Sequence, residues 1–341
     1  MIKRRARLTG FITIQLFWIL PAGALIISFL AGKYGIAPEE LIKALSSFIK
    51  TGINTNNAET VLFKIRLPRI LAAFFIGGSL SVSGVVYQTV FRNPLVSPDL
   101  LGASSGAGLG ACIAIMMNFK PWLVPFAAFF MGIMSVGITC VLCDRIYQRR
   151  GNAGAYVLTG IVVSAVCQSL ISLIKYTADP YNQLQTIVFW LMGSMVHVEP
   201  TALIILLCSC IIGSVPLFLN GWKLNLLSFS DEEASAMGIN TRLFRIAMLS
   251  FATFLCSAAV ATSGIIGWVG LMVPHMVRSI IGADVRFLLP ASFLLGSTLL
   301  LFIDDITRVL LVIELPLGLL TAIIGAPVFI VLLIKGKGTW I

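Results

Sequence analysis

Charge is scarce in this sequence. Of 341 residues only 11% are Asp, Glu, Lys or Arg, whereas 58% are hydrophobic. A soluble domain carries about 25% charged residues, so a fully water-facing exterior is excluded and most of the surface has to face lipid. Histidine is nearly absent: His197 and His275 are isolated, with no HExxH pattern and no converging carboxylates, which removes the usual zinc-hydrolase arrangements. No GxxxxGK[ST] loop occurs either. Gly336-Lys337-Gly338 lacks the upstream glycine and a preceding strand, so the chain has no recognised means of hydrolysing ATP. The seven cysteines lie inside apolar runs without metal-ligand spacing and read as small buried hydrophobes. Ionisable residues are also missing from the middle of those runs, since Lys175, Asp304, Asp305 and Glu314 all fall at their ends. Carriers driven by ion gradients normally place such groups near mid-membrane, and their absence points to an external motor.

What the sequence does have is length in its apolar runs. Phe11–Leu30, Ile70–Phe91, Leu100–Phe119, Pro121–Cys143, Gly151–Ile174, Pro200–Trp222 and Ile246–Val277 are uncharged. Each reaches the roughly 20 residues a helix needs to cross about 30 Å of hydrocarbon. The expected fold is all-α: a single polytopic transmembrane domain over 1–341, with ten spans at 11–31, 67–91, 99–118, 121–143, 152–175, 200–219, 245–263, 266–281, 286–303 and 316–334. The basic N-terminus before the first run, Met1 to Arg7, has no convincing small-residue cleavage site, so that run is expected to be retained.

The apolar stretch 180–198 decides the sidedness. If it does not cross, Lys3–Arg7, Arg145–Arg150, Arg242–Arg245, Arg278–Arg286 and Lys335–Lys337 share one side, which the positive-inside rule makes cytoplasmic. If it crosses, the bias inverts. The stretch is therefore expected to be a short outer helix, with both termini cytoplasmic. The net charge of +10 is explained by this bias and does not call for nucleic acid. A weak internal repeat accompanies it: Arg66-Leu-Pro-Arg69-Ile70 recurs as Arg242-Leu-Phe-Arg245-Ile246, followed in each case by Ser-Gly (Ser83-Gly84, Ser263-Gly264) and a proline (Pro94, Pro274). Five spans separate the two starts, the inverted arrangement common in transporters.

The longest polar cytoplasmic segment, 228–241, carries its own helix signals. Ser230 is a plausible N-cap, Glu233 its capping-box partner three residues on, and Gly238 a C-terminal stop. These predict a short acidic helix projecting from the membrane.

Several motifs together resemble one family. Arg66-Leu-Pro-Arg69 opens a span, and Arg92-Asn93-Pro94-Leu95 precedes Pro98-Asp99-Leu100-Leu101-Gly102-Ala103-Ser104-Ser105-Gly106. Trp190-Leu-Met-Gly-Ser194, Asp231-Glu-Glu-Ala234, Gly264 to His275, Asp304 to Arg308, Glu314 to Gly318 and Gly325-Ala326-Pro327 continue the match. From about residue 60 onward the chain is similar to the iron–siderophore, haem and cobalamin permeases of ABC importers. The resemblance implies a transport subunit that is not itself an enzyme, without a cofactor of its own. It would work as a homodimer, or a heterodimer with a homologous permease, in the bacterial cytoplasmic membrane. Two ATP-binding subunits would carry ATP and Mg, and a periplasmic or lipid-anchored binding protein would deliver the substrate. Ferric siderophore is the expected cargo; haem, cobalamin or a molybdate-type oxyanion are the alternatives within the family, and an ion-coupled secondary carrier the alternative outside it.

The resemblance also assigns residues. Arg66, Arg69 and Arg308 match outer-face arginines that dock acidic lobes of the binding protein. Asp231, Glu232, Glu233, Ala234, Met237 and Gly238 fall where family members couple to the ATPase. Asn93 and Leu95 match a cytoplasmic gate turn. A second gate turn would be Gly151-Asn152-Ala153-Gly154, although its residues here are smaller than in members with hydroxyl side chains. Small residues, Ser104 and Ser105 among them, would line the translocation path.

Overall fold

In a computed structural model the chain is described at residues 19–32, 57–147, 153–196, 198, 200–310 and 315–335, with isolated positions 17, 39, 42, 43 and 46. Thirteen helices can be named in order. They are α1 (Ile19–Leu30), α2 (Leu67–Val90), α3 (Ala103–Met116), α4 (Val124–Ile146), α5 (Ala153–Thr177), α6 (Gln183–Met192), α7 (Pro200–Leu219), α8 (Gly221–Leu226), α9 (Asp231–Ala236), α10 (Thr241–Ser263), α11 (Val269–Ile281), α12 (Val285–Leu310) and α13 (Leu317–Lys335). Among the described residues there is no strand. Among the described residues six helices are long and apolar enough to cross a membrane: α2 with its π-helical lead-in Val61–Arg66, then α4, α5, α7, α10 and α12. Shorter apolar helices, α1, α3, α11 and α13, stand beside them at the remaining expected spans.

Two of the expected spans begin later than the apolar runs suggest. After α2 the chain turns at Arg92, passes through buried Ser97 and Pro98 and a 3-10 turn, and starts α3 only at Ala103. After α10, residues 264–268 are likewise non-helical before α11. Irregular backbone at such depth is tolerated when protein surrounds it, and here Leu101, Ile266 and Val269 are all buried. In the other direction α12 runs past 303 through Asp304, Asp305 and Arg308.

The inverted repeat is visible in the packing. Pairing α2–α3–α4–α5 with α10–α11–α12–α13 maps each neighbour onto another. Helix α2 packs on α12 as α10 does on α4, and α2 on α11 as α10 does on α3; α3–α4, α3–α5 and α4–α5 correspond to α11–α12, α11–α13 and α12–α13. The arginine pairs that open α2 and α10 are equivalent in this mapping. The later Ser-Gly matches are not: Ser83-Gly84 lies inside α2, whereas Ser263-Gly264 ends α10. Pro94 sits in a turn and Pro274 inside α11.

Helix α2 is the centre of the fold, with nearly all of its apolar window buried, while most of α5 remains on the surface. Side chains with similar hydropathy to lipid gain little by leaving it, so contacts between helices rest on close packing and hydrogen bonds. Ser83 Oγ donates to the Ala252 carbonyl at 2.7 Å, the Tyr87 and Thr253 hydroxyls meet at 2.6 Å, and Gln88 Nε2 donates to the Leu271 carbonyl at 3.2 Å. These bonds tie α2 to α10 and α11.

Helix α6 accounts for the stretch 180–198. Its 10 residues span about 15 Å, too short to cross. It is tied to the end of α3, where Gln183 Nε2 donates to the Met116 carbonyl at 3.1 Å. Gly193 then takes φ +74, and a Cβ there would sit 2.5 Å from the Ile265 carbonyl oxygen. The Ser194 N–H donates to Ser263 and the Leu317 N–H to Gly193, so three segments cross with no side chain between them.

Candidate functional site

The polar features gather at two opposite ends of the bundle. One end holds the C-termini of α2, α4 and α7 with the starts of α10 and α12; the other holds the starts of α2 and α13 with the C-termini of α3, α10 and α12.

At the first end, the short helix predicted within 228–241 is present as α9, six residues long. Ser230 Oγ accepts from the Glu233 N–H at 3.2 Å, and the Glu233 carboxylate accepts from the Ser230 N–H at 2.9 Å, a reciprocal capping box. Gly238 ends the motif at φ +84. Ala234 is buried and fixes the inner face. Glu232, Glu233, Met237 and Gly238 are exposed, and so are the apolar side chains of Phe229 and Leu243 beside them.

Asp231 is different from its neighbours. Its carboxylate accepts from Arg92 Nη2 at 2.7 Å and Arg245 Nη2 at 2.9 Å, while Arg92 Nε donates to the Leu227 carbonyl at 2.6 Å. Partial burial pushes this carboxyl up, but the hydrogen bonds and charges of Arg245 and then Arg92 outweigh it and hold it below the usual aspartate value. Asp231 therefore anchors α9 to the end of α2 and the start of α10. The sequence places Asp231 within the coupling segment but does not reveal Arg92 or Arg245 as its partners, because neither is near it in the chain.

Asn93 and Leu95 stand at the same end. Asn93 Oδ1 accepts from the Leu95 N–H at 2.9 Å, a local turn bond, and both residues are exposed. Of the second gate turn, Gly151 and Asn152 lie outside the described residues. Ser104 and Ser105 do not join this group. They are buried in the first turn of α3, where Ser104 bonds to Asp99 and Ser105 donates to the Gly102 carbonyl. In this protomer their hydroxyls are turned to Asp99 and to local backbone, within the 98–105 turn.

At the opposite end Arg66, Arg69 and Arg308 are buried in this protomer, at 4%, 7% and 6% exposure. Arg69 holds Asp304 with Nε at 3.0 Å and Nη2 at 2.9 Å. Arg308 lies 3.1 Å from Asp304 through Nε and also binds Asp305. Ser28 Oγ donates to Asp305 at 2.7 Å, and Arg66 Nη1 donates to the Phe29 carbonyl at 2.5 Å, at the end of α1. Asp304 on α12 thus reaches Arg69 on α2, Asp305 takes Arg308 and Ser28, and Arg66 turns onto the carbonyls that end α1, so the cluster pins α1, α2 and α12 together. The sequence shows these carboxylates beside Arg308 but not that Arg69 meets them.

The same end carries a cavity of about 810 Å³ between α6 and the tips of α3, α7 and α10. Asn118, Gln183, Thr186, Trp190, Thr262 and Ser263 are among its walls. Among the described residues no His, Cys, Asp and Glu cluster is able to hold a metal.

The arrangement matches known proteins along nearly its whole length. The model of the FecCD transport family matches residues 19–335. The chain is 38% identical to the molybdate import system permease protein MolB of Haemophilus influenzae, over 82% of each chain. It is also 38% identical to the hemin transport system permease protein HmuU of Yersinia pestis, over 86% of this chain and 90% of that one. A solved structure of a metal-chelate type ABC transporter in an inward-facing conformation superposes with TM-score 0.82 at 33% identity, covering 94% of this chain and 98% of the other.

Proposed function

Because the chain belongs to the FecCD transport family, and is thus an ABC importer permease subunit that is membrane-embedded and not itself an enzyme, we propose that it carries a metal chelate, specifically a ferric siderophore, across the bacterial cytoplasmic membrane. It does so paired with a second copy or a homologous permease. Two ATP-binding subunits dock at the α9 end and supply ATP and Mg. A periplasmic or lipid-anchored binding protein delivers cargo at the α6 end, and both termini face the cytoplasm. The named relatives handle molybdate and hemin, and a metal complex is the property those cargoes share.

The observation that carries the mechanism is the construction of α9. Its exposed side, Glu232, Met237 and Gly238, is free for an ATPase groove, while Asp231 clamps the helix to α2 and α10. A push on α9 is thereby delivered to the central helix of the fold and to its repeat mate. Near this lever, the Asn93–Leu95 turn continues directly from Arg92 and works as the cytoplasmic gate. Arg66, Arg69 and Arg308 lie at the other end, where the binding protein docks in this reading.

The test separates the two sides of α9. Gly238→Pro, which cannot adopt φ +84, should weaken ATPase co-purification. Asp231→Asn should leave the ATPase bound but cut ATP-dependent ferric-siderophore uptake in proteoliposomes by about tenfold for an essential link. Unchanged uptake in both variants removes α9 from the coupling path. Uptake of molybdate or hemin but not ferric siderophore replaces the cargo assignment alone.

A further inference from the structure

A smaller cavity near α9 shares Arg92 and Asn93 with the clamp and gate turn above. It measures about 190 Å³ and lies between the C-terminal turn of α2, the last turn of α11 and the start of α12, with Ser228 at one wall. Gln88, Arg92, Asn93, Arg278 and Val285 contribute further walls, and none of its lining residues carries a carboxylate.

Arg278 stands out there. It is only partly exposed, and among the described residues its guanidinium makes no hydrogen bond or ion pair. The other arginines nearby are occupied: Arg92 and Arg245 share Asp231, and Arg286 holds Asp284. Asp284 also accepts from Asn225 Nδ2 at 2.8 Å, so it is engaged away from Arg278. Of the two arginines that line the cavity, Arg92 is held by Asp231 and Arg278 has no such partner among the described residues, so its positive charge faces the cavity unpaired. A second vacancy accompanies it. Gln88 Nε2 donates to Leu271, but its Oε1 is buried without a partner. A partly desolvated cation without a counter-ion calls for an anion, and the planar fork of arginine suits phosphate oxygens. The idle Gln88 acceptor calls for an O–H donor on the same ligand.

We propose that this cavity binds a phosphate-type oxyanion that also carries a hydroxyl, the chemistry shared by hydrogen phosphate and the headgroup of phosphatidylglycerol. An occupant would tie α11 to the Arg92–Asn93 turn and to the segment leading into α9.

The experiment uses the full-length permease in nanodiscs of phosphatidylcholine alone, with inorganic phosphate added, or of phosphatidylcholine with phosphatidylglycerol. Amide hydrogen exchange is followed in 88–95 and 276–285, and retained lipid is counted by native mass spectrometry. One of the two phosphates should protect both segments, and Arg278→Gln should weaken that protection roughly tenfold or more, with Arg278→Lys retaining part of it. Protection by the lipid alone identifies a headgroup site; protection by inorganic phosphate in the neutral bilayer identifies a soluble ligand. Should Arg278→Gln fail to insert, Ser228→Asp, on the exposed segment, places a tethered carboxylate at the cavity and should abolish protection in the same way. If neither phosphate protects the wild-type chain, or if the variants respond as the wild type does, the proposal is overturned.

Discussion

Two ion pairs join corresponding helix pairs in the two halves of the repeat, α2 with α12 and α10 with α4, although in the sequence Arg69 aligns with Arg245 and Arg242 with Arg66. Arg69, at the start of α2, meets Asp304 near the end of α12 at 2.9 Å; Arg242, at the start of α10, meets Asp144 near the end of α4 at 3.0 Å. Their surroundings are opposite. The first pair is shielded, with side chains 8% and 0% exposed, and Arg308 joins it. The second stands in the open at 51% and 29%. One bonding pattern has become a clasp at the end where cargo is proposed to enter and a loose contact at the end where α9 is proposed to be driven. The difference teaches that corresponding helix pairs in an inverted repeat need not be held with equivalent energy: desolvation, not distance, separates their ion pairs.

The largest effect should come from breaking the clasp. Asp304→Ala leaves Arg69 and Arg308 buried beside a missing partner, a loss of roughly 3–5 kcal/mol by the usual behaviour of such pairs. Thermal unfolding of the purified permease in detergent should show it. A replacement of the whole pair, Arg69→Met with Asp304→Leu, should recover much of that loss; if it does not, the pair has a role beyond packing. Breaking the open contact should matter far less. Arg242→Gln should cost about 0–1 kcal/mol, as exposed pairs do, and a loss as large as that of Asp304→Ala would show the two ends to be alike after all.

The smallest effect is one of pH and belongs to α9. The folded Asp231 carboxyl lies below its ordinary value, so the unfolded chain binds its proton first as pH falls. The contribution of this anchor is fully present above about pH 4, the ordinary aspartate value, and is lost as pH drops through the folded value. Hydrogen exchange of 231–237 should stay flat from neutral pH to about 5, after correction for intrinsic rates, and accelerate only in stronger acid. In Asp231→Asn the acid step should disappear.

Much of this architecture was legible because the relevant forces are local. Apolar length marked the spans, and charge bias kept 180–198 from being counted among them. Ser230 and Glu233 announced their capping box because both partners lie within one turn. What stayed hidden depends on which distant residues meet. That Arg69 meets Asp304 from another helix is invisible in a sequence that separates them by 235 residues. That Ser104 and Ser105 turn their hydroxyls to Asp99 and Gly102 is equally unannounced by composition. The repeat was readable at Arg66–Arg69 and Arg242–Arg245, where both segments open a helix. It failed at Ser83 and Ser263, because Ser83 follows Arg66 by 17 residues and Ser263 follows Arg242 by 21, which puts one inside its helix and the other at its end.

The clasp also sets a timetable for the chain's synthesis. Arg69 and Asp304 are 235 residues apart, and at roughly 5–20 residues per second the ribosome needs about 10–50 s to make the second after the first. During that interval Arg69 has no Asp304 to meet, and its long stem lets the guanidinium reach the headgroup water. The first helices can therefore enter the bilayer early, but the start of α2 reaches its final depth only when α12, the second-to-last named helix, arrives.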